Sequence, residues 1–319
     1  MMPPLLARPE VILTHESDLD GFVAGLLLQR MARQVFGADV ELQAYNYQGW
    51  KMRALREDVA WVADFTFELR LDRLNWLVVD HHATTTPAKV AHLHHNPQCS
   101  AARLCYELAV THGLGTPQLD RLVHLTNLGD LFIEDDPEFA LACDYASLVK
   151  TYGFWNLHKI IDGKLESLLD HPLLEVMTTK RRVEDPIGYA LAVLDVTELS
   201  PTVGSVRAPV GNTNLIVHQM LNCGATRYSV LASIFRKGTG NHVVSFRSRN
   251  GEALGVAQKF EGGGGHPNAS GATLPRGINT FEDAIEYLRK RLNGPTTPAG
   301  DSAENARLNL AFSGLKWPA

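Results

Sequence analysis

The sequence predicts an α/β fold in two domains, an N-terminal domain built on a parallel sheet and a smaller C-terminal α/β domain with a mixed sheet. The first half alternates short apolar runs with amphipathic segments, the rhythm of a parallel sheet with crossover helices. Strong apolar-polar alternation, typical of a half-buried strand, returns late, in NHVVSFRSR (241–249). A length of 319 residues also suggests two domains, each with its own hydrophobic core.

The N-terminal strands are predicted from apolar runs that end in polar residues. Strands are expected at 10–15, 40–46, 58–66 and 74–82, and a helix at 21–37. The strands of a parallel sheet have their carboxyl ends at one edge, where ligands bind. His15, Asp64 and Asp80 each follow such an apolar run, so three segments could bring polar groups to one crevice.

The pattern from about 99 to 195 is helical and is expected to break at Asp185-Pro186, because proline disfavours the helix interior. The β-rich pattern that follows is assigned to the second domain. The predicted boundaries are 1–190 for the first domain, 200–293 for the second, and 294–319 for a flexible tail rich in small and polar residues.

Composition limits the expected partners. A formal net charge of -5 argues against a broad electrostatic footprint for long duplex nucleic acid, so a nucleic-acid substrate would be short. The 4 cysteines form no CxxC pair, which indicates neither a zinc ribbon nor a disulfide framework. The sequence shows no signal-peptide pattern and no long uninterrupted apolar stretch. We therefore expect a cytoplasmic protein with no membrane partner.

The segment THESDLDG (14–21) crowds His15, Asp18 and Asp20 between a predicted strand and a predicted helix. Neighbouring carboxylates repel one another unless cations neutralise them, and Mn²⁺ and Mg²⁺ prefer carboxylates while tolerating imidazole. The alternative is that Ser17 or Asp18 caps the helix and the other acid favours its positive N-terminal end. The segment alone does not decide between a metal site and a helix cap.

The stretch VVDHH (78–82) ends an apolar run in three groups that are costly to bury unless they are paired. Asp64 follows another apolar run in VADFT, and Asp130 lies in the apolar context LTNLGDLF. Asp64 alone is more often a turn or cap residue than a metal ligand, and an acid in the context of Asp130 either caps or coordinates. Together the clusters supply roughly seven ligands, enough for two cations that share one carboxylate.

The motifs HESDLDG, VADFT, DHH and NLGD, in this order, resemble the four metal motifs of the DHH phosphoesterase superfamily. Farther along, SFRSRNG (245–251) and EGGGGHPNASGAT (261–273) resemble the C-terminal substrate-binding domain that accompanies DHH. The resemblance extends from residue 9 to residue 290 and is strongest to the nanoRNases, the branch that hydrolyses short oligonucleotides.

The resemblance implies two Mn²⁺ ions as cofactors, with Mg²⁺ or Co²⁺ as alternatives, and Asp64 as the carboxylate that bridges them. The implied metal ligands are His15, Asp18, Asp20, Asp64, His81 and Asp130. His82 would face the scissile phosphate, and Asp80 would orient the neighbouring histidines. Many relatives place three residues between the first histidine and the first aspartate, whereas only Glu16 and Ser17 stand there here. This departure leaves Glu16 open as a ligand in place of His15.

The glycine run 262–265 could be a flexible linker. It follows a strand, however, and a loop without Cβ atoms lets backbone N–H groups approach a phosphate closely. The resemblance implies that the terminal phosphate or nucleotide of the substrate is bound, in the cleft between the domains, by Arg247, Ser248, Gly263, Gly264, Gly265 and His266.

The implied function is Mn²⁺-dependent hydrolysis of short single-stranded RNA, down to dinucleotides, to mononucleotides. Removal of the 3′-phosphate of adenosine 3′,5′-bisphosphate is a further implied activity. Two alternatives stay open: a polyphosphatase or pyrophosphatase on the same metal core, and a nucleotide sensor without turnover. Processive degradation of long single-stranded DNA would need additional basic domains. Whether the chain forms a homodimer also stays open.

Three other groups of residues have less specific patterns. Tyr45, Tyr47 and Trp50 could stack on bases, but packing is predicted for at least two of them. The histidines at 92, 94 and 95 lack nearby acids and are predicted to lie on the surface. The basic run 180–182 is predicted to be a solvated helix face.

Overall fold

The computed structural model describes residues 6–236 and 240–294. It divides into two compact units, Met1–Pro186 and Ile187–Ala319. The first unit contains a parallel sheet and the second a mixed sheet, which confirms the predicted fold class. The predicted flexible tail, 294–319, lies outside the described residues from 295 onwards.

The first unit is built on a sheet whose paired strands are all parallel, in the order β2-β1-β3-β4-β5. Its strands are β1 (Val11–His15), β2 (Glu41–Tyr45), β3 (Ala60–Ala63), β4 (Leu77–Asp80) and β5 (His92–His95). The chain moves from β1 to β2 on one side and then places β3 on the other side of β1. Such a reversal opens a crevice outside the carboxyl ends of β1 and β3.

The central strands are apolar because both faces of the sheet are covered. Every residue of β1 and β3 is buried. Ile12 and Trp61 point into the core that contains α1 (Leu19–Phe36), whereas Leu13 and Val62 point into a second core on the opposite face. Successive side chains of a strand alternate between faces, so a one-residue register shift would exchange the two sets.

The remaining helices of the first unit surround this sheet and extend beyond it. They are α2 (Tyr47–Met52), α3 (Ala101–Thr111), α4 (Pro117–Asp130), α5 (Phe139–Tyr152), α6 (Phe154–Ile160) and α7 (Leu173–Leu194). Ser100 caps α3 by accepting from the Arg103 backbone N–H, and Thr116 caps α4 in the same way through Leu119. Side-chain oxygens at these positions satisfy N–H groups that have no partner inside the helix.

The predicted break at Asp185-Pro186 is wrong, because α7 continues through Pro186. Proline in a helix interior costs about 3 kcal/mol, and packing on both sides compensates for it here. Before the proline, Met177 lies in the core of the first unit; after it, Ala192 lies in a core of the second unit. The division between the units therefore falls inside this helix.

The second unit contains a mixed sheet in the order β10-β11-β9-β8-β7-β6. Its elements are β6 (Val196–Glu198), β7 (Val203–Val206), α8 (Thr213–Asn222), β8 (Val230–Arg236), β9 (His242–Ser248), α9 (Glu252–Ala257), β10 (Gly264–His266), β11 (Ala269–Thr273) and α10 (Phe281–Asn293). The predicted alternation of β9 is confirmed, since buried and half-buried residues alternate along it. Among the described helices, none is both long and apolar enough to cross a membrane.

Candidate metal centre

Three neighbouring strands of the first unit end in the polar groups that the sequence predicts to meet. His15 is the last residue of β1, Asp64 directly follows β3, and Asp80 is the last residue of β4. The strand register aligns these ends, because Thr14 pairs with Ala63 and Ala63 pairs with Val79. The strand ends therefore deliver their side chains to the crevice at the topological switch point.

One cluster joins the first motif to Asp64. The Nδ1 atom of His15 lies 2.8 Å from Asp18 Oδ2 and 3.4 Å from Asp64 Oδ2. One potential ligand atom from each of these residues lies within 4.8 Å of the others. The three residues are the set that the resemblance implies for the first metal ion.

A second cluster surrounds His81. Its Nε2 atom lies 3.7 Å from Asp20 Oδ2, 3.5 Å from Asp130 Oδ2 and 3.5 Å from Asp64 Oδ1. Asp20, His81 and Asp130 have ligand atoms within 4.8 Å of one another. Asp64 therefore turns one carboxylate oxygen towards each cluster, which is the arrangement expected of a bridging ligand.

The backbone at Asp64 holds its side chain in this position. The residue has a φ of 59°, in the left-handed region that aspartate adopts only occasionally. Its N–H donates to Val79 O at 3.0 Å. Among the described residues, the buried Oδ2 atom of Asp64 accepts no hydrogen bond. A buried carboxylate oxygen without a donor, among other carboxylates and imidazoles, fits a hard divalent cation.

The electrostatics of the clusters show an excess of buried negative charge. Burial and the charge of Asp64 raise the pKa of Asp20 to about 7, against the opposing effect of His81. Desolvation, together with the repulsion of Asp20, also raises the pKa of Asp130 well above its ordinary value, although 22% of its side chain is exposed. Cations between these carboxylates would remove the repulsion.

The histidines of the clusters respond in the opposite direction. Burial acts to lower the pKa of His15, but Asp18 and Asp64 raise it to about 11. Burial likewise opposes protonation of His81, but Asp64, Asp130 and Asp20 raise its pKa to about 10. In the absence of metal, these imidazoles therefore carry protons that neutralise part of the acidic charge.

The capping interpretation of the first motif is confirmed for Asp18, and the cap leaves its second carboxylate oxygen beside His15. Asp18 caps α1, because its Oδ1 atom accepts from the Gly21 backbone N–H at 3.0 Å while Oδ2 faces His15. A Cβ atom on Gly21 would lie 2.2 Å from His15 O, so only glycine allows this tight approach. Glu16 accepts from Asn46 Nδ2 at 2.9 Å and belongs to neither cluster.

Backbone groups that the sequence does not reveal hold Asp20. Its two carboxylate oxygens accept from Ala101 N at 2.8 Å and from Ala102 N at 2.7 Å, at the start of α3. The N-terminus of a helix favours negative charge. The helix end thus orients Asp20 towards His81.

His82 is held by Asp80, and ligand atoms of His82, Asp64 and His81 lie within 4.8 Å of one another. Its Nδ1 atom lies 2.8 Å from Asp80 Oδ1, and Asp80 Oδ2 accepts from Phe67 N at 3.1 Å. The Asp80 side chain is 0% exposed, whereas 22% of the His82 side chain is exposed. His82 is therefore the accessible end of a buried, hydrogen-bonded pair.

Tyr47 lies against the candidate site, a position that the sequence did not indicate. Its hydroxyl lies 3.2 Å from His82 Nε2, and its ring packs 4.7 Å from the ring of His15. Packing is confirmed for Trp50, which stacks on Phe65 with the ring centroids 4.1 Å apart. Tyr45 is half-buried against the same core.

Two of the less specific predictions need correction. The histidines at 92, 94 and 95 form the edge strand β5; His92 is exposed, but the other two are half-buried, and His95 Nε2 lies 2.8 Å from His82 O. Their sequence has no apolar alternation that would mark a strand. Within the basic run, Arg181 binds the buried carboxylate of Asp144 at 2.7 Å and 3.0 Å, so it is not merely solvated.

Of the substrate residues predicted in the second unit, Arg247 and His266 lie on the same face of the sheet, whereas Ser248 lies on the other. Ala269 pairs with Arg247 on one side and with His266 on the other, so Arg247 and His266 lie on the same face of the sheet. Ser248, the next residue of β9, points to the opposite face. There its hydroxyl accepts from the Ala253 backbone N–H at 3.0 Å.

The glycine run is not the open loop that the sequence predicts, because Gly264 and Gly265 belong to β10. A Cβ atom on Gly265 would lie 2.6 Å from Ala269 O, and one on Gly263 would lie 1.9 Å from Ala257 O. Glycine at these positions allows close backbone packing, and β10 itself stays exposed.

Comparison with known proteins finds one family model that matches the chain: residues 206–294 match the DHHA1 domain. A comparison with curated proteins returns no match. The family match covers most of the second unit and leaves the metal clusters outside it.

Two solved structures have a similar fold. One is the DHH domain of a protein described as a member of a ribosomal protein family, with 16% identity and a TM-score of 0.53 over 91% of this chain and 88% of that chain. The other is RecJ in complex with Mn²⁺ from Thermus thermophilus, with 15% identity and a TM-score of 0.52 over 89% of this chain and 52% of RecJ. The chain thus spans about half the length of RecJ. At these identities the likeness establishes a shared fold.

Proposed function

We propose that the chain is a metal-dependent phosphoesterase of the DHH superfamily. The DHHA1 match and the fold shared with a DHH domain support this assignment. The observation that carries it is the position of Asp64, which faces His15 with one oxygen and His81 with the other. A carboxylate shared by two ligand clusters is the geometry that a dinuclear hydrolase needs.

The proposed ligands are His15, Asp18 and Asp64 for one cation, and Asp20, Asp64, His81 and Asp130 for the other, with Mn²⁺ as the proposed metal. Divalent cations bound there would supply Lewis-acid polarisation of the phosphate and a lower pKa for water. The chain itself contributes the orientation: the first turn of α3 holds Asp20, and Asp80 holds His82. His82 is the proposed contact to the scissile phosphate.

The proposed substrates are short oligoribonucleotides and adenosine 3′,5′-bisphosphate. The net charge of -5 supports a short anionic substrate over a long one. Arg247 and His266, on one face of the mixed sheet, are the proposed contacts to a terminal phosphate, with the backbone of Gly263, Gly264 and Gly265 beside them. The proposed role of Ser248 is indirect, because its hydroxyl holds the start of α9.

A turnover assay tests the proposal. Purified protein with Mn²⁺ is given 5′-labelled RNA from dinucleotide to decanucleotide, with adenosine 3′,5′-bisphosphate and polyphosphate in parallel reactions. We expect fast hydrolysis of dinucleotides that slows as the RNA lengthens. Hydrolysis of polyphosphate alone would retain the metal centre and refute the substrate. Binding of nucleotide without turnover of any substrate would refute the enzymatic proposal.

A substitution in the second unit tests the substrate contact separately. Arg247→Gln removes a guanidinium whose pKa burial lowers. If Arg247 binds the terminal phosphate, KM rises about 10-fold or more with kcat little changed, since a hydrogen bond to a charged group contributes about 1.5–3 kcal/mol. Arg276→Gln, at an exposed position, is the matched control. Equal KM values for both variants would remove Arg247 from the proposed site.

A further inference from the structure

Tyr47 begins α2, and its ring packs on His15 of the first ligand cluster. Its ring centroid is 4.7 Å from that of His15 and 5.8 Å from that of Phe65. Asn46 caps α2 and also donates to Glu16 Oε1 at 2.9 Å, which ties the start of this helix to the first metal motif. The ring contacts with His15 and Phe65 and the hydrogen bond from the neighbouring Asn46 to Glu16 therefore fix the position of Tyr47.

The hydroxyl of Tyr47 completes a line of hydrogen bonds through His82. Tyr47 Oη lies 3.2 Å from His82 Nε2, and His82 Nδ1 lies 2.8 Å from Asp80 Oδ1. Asp80 is fixed in turn by the Phe67 backbone N–H at 3.1 Å. Both ring nitrogens of His82 are thus held, one by the buried acid and the other by the phenol. Hydrogen bonds at both ring nitrogens keep the imidazole from rotating or flipping.

We propose that Tyr47 is a positioning residue, whose hydroxyl orients His82 towards the substrate phosphate. This inference rests on the proposed phosphoesterase function. Packing alone does not require the hydroxyl, because a phenylalanine ring would make the same contacts with His15 and Phe65. The hydroxyl is the part of Tyr47 that contacts His82, so its removal separates a positioning role from packing experimentally.

The variant that isolates this atom is Tyr47→Phe. We expect kcat to fall about 10-fold, in the range measured for groups that orient active-site ligands. KM stays within about 2-fold, and the Mn²⁺-induced rise in melting temperature is unchanged, because neither proposed cluster contains the phenol. A kcat equal to that of the wild type would overturn the proposal, and so would a raised KM with kcat unchanged, which would make Tyr47 a substrate contact.

Tyr45→Phe is the matched control, because it removes a hydroxyl from the same segment. Tyr45 Oη donates to Gln43 Oε1 at 2.7 Å and accepts from Arg53 Nε at 3.1 Å, away from His82. We expect kcat to be unchanged in this variant. A fall as large as that in Tyr47→Phe would show a general disturbance of β2 and α2, and it would refute a specific role for Tyr47.

A readout that needs no turnover separates this inference from the proposed function. In protein labelled with ¹⁵N-histidine and kept free of metal, the ring nitrogens of His82 are assigned through His82→Asn. Tyr47→Phe is expected to shift both of these resonances, and Tyr45→Phe to leave them in place. Shifted resonances without hydrolysis of any phosphoester would refute the function and retain the positioning role. Unshifted resonances would refute the positioning role whatever the activity.

Discussion

Replacing Asp64 with asparagine perturbs the one carboxylate that faces both clusters. Asp64 lies 3.4 Å from His15, 3.5 Å from His81 and 4.0 Å from His82. Asparagine keeps the size of the side chain and tolerates the left-handed backbone at this position, where φ is 59°. The substitution therefore removes the charge with little disturbance of the fold.

The expected loss is large, because both proposed cations depend on this group. Removing a group that only orients a metal ligand costs about 10- to 100-fold in affinity or activity. Loss of a shared ligand should exceed this range, so kcat/KM should fall more than about 100-fold, equivalent to about 2.7 kcal/mol. Mn²⁺ at about 100 times its Kd should stabilise the wild type by about 2.7 kcal/mol. For a unit of this size, that is a rise in Tm of about 5 to 10 °C.

Thermal unfolding with and without Mn²⁺, together with the turnover assay, measures both effects. The matched control is Asp162→Asn, because Asp162 also has a positive φ, 51°, but an exposed side chain outside the clusters. The control should keep the full Mn²⁺-induced rise in Tm and full activity, and Asp64→Asn should lose both. An undiminished rise in Tm for Asp64→Asn would refute the assignment of Asp64 as a shared ligand.

Two further predictions concern residues around the site. His15→Asn should reduce the Mn²⁺-induced rise in Tm, because His15 lies in the first cluster. Glu16→Gln should keep the full rise, because Glu16 binds Asn46 instead. A reduced rise in Glu16→Gln and a full rise in His15→Asn would make Glu16 the ligand. Hydrogen bonds from Arg53 lower the pKa of Glu57 from 4.5 to about 2. Solvent screens part of this interaction, so the pKa shift corresponds to about 1–2 kcal/mol of folding stability. This contribution is present above pH 4.5 and is lost as the pH falls through 2. In urea unfolding at pH 7, the free energy of unfolding of Glu57→Gln should therefore be lower than that of the wild type by about this amount, and the difference should shrink in acid. A difference that does not change with pH would contradict a stabilising ion pair between Arg53 and Glu57.

The strands that carry the site could be predicted because short apolar runs in the sequence indicate buried strands. VIL, AWVA and LVV are apolar throughout, as expected of strands covered on both faces. The parallel arrangement then implied that His15, Asp64 and Asp80 lie at one edge. The structure places them so, and the site residues at strand ends needed no knowledge of tertiary packing.

Other elements could not be predicted, because tertiary contacts override local preference. The strand HLHH at 92–95 is defined by its pairing with β4 and carries no apolar alternation. Helix α7 continues through Pro186 because packed residues anchor it on both sides. The pattern of Gly264 and Gly265 predicts a loop, yet both belong to β10, and glycine at 265 allows β10 to approach Ala269 O of β11 closely. In each case the determining partner lies elsewhere in the chain.

The site residues on helices give a further argument for the proposed metal site. Asp20 lies in the first turn of α1 and accepts from the first turn of α3, where two helix dipoles favour its charge. Asp130 is the last residue of α4, where the helix dipole disfavours a carboxylate, and its pKa is raised well above the ordinary value by burial and by Asp20. A chain under selection for stability alone would place a basic or neutral residue there. Protonated His81 offsets part of this cost, and a cation between Asp130, His81 and Asp20 would offset more of it, so the unfavourable position supports the proposed metal binding.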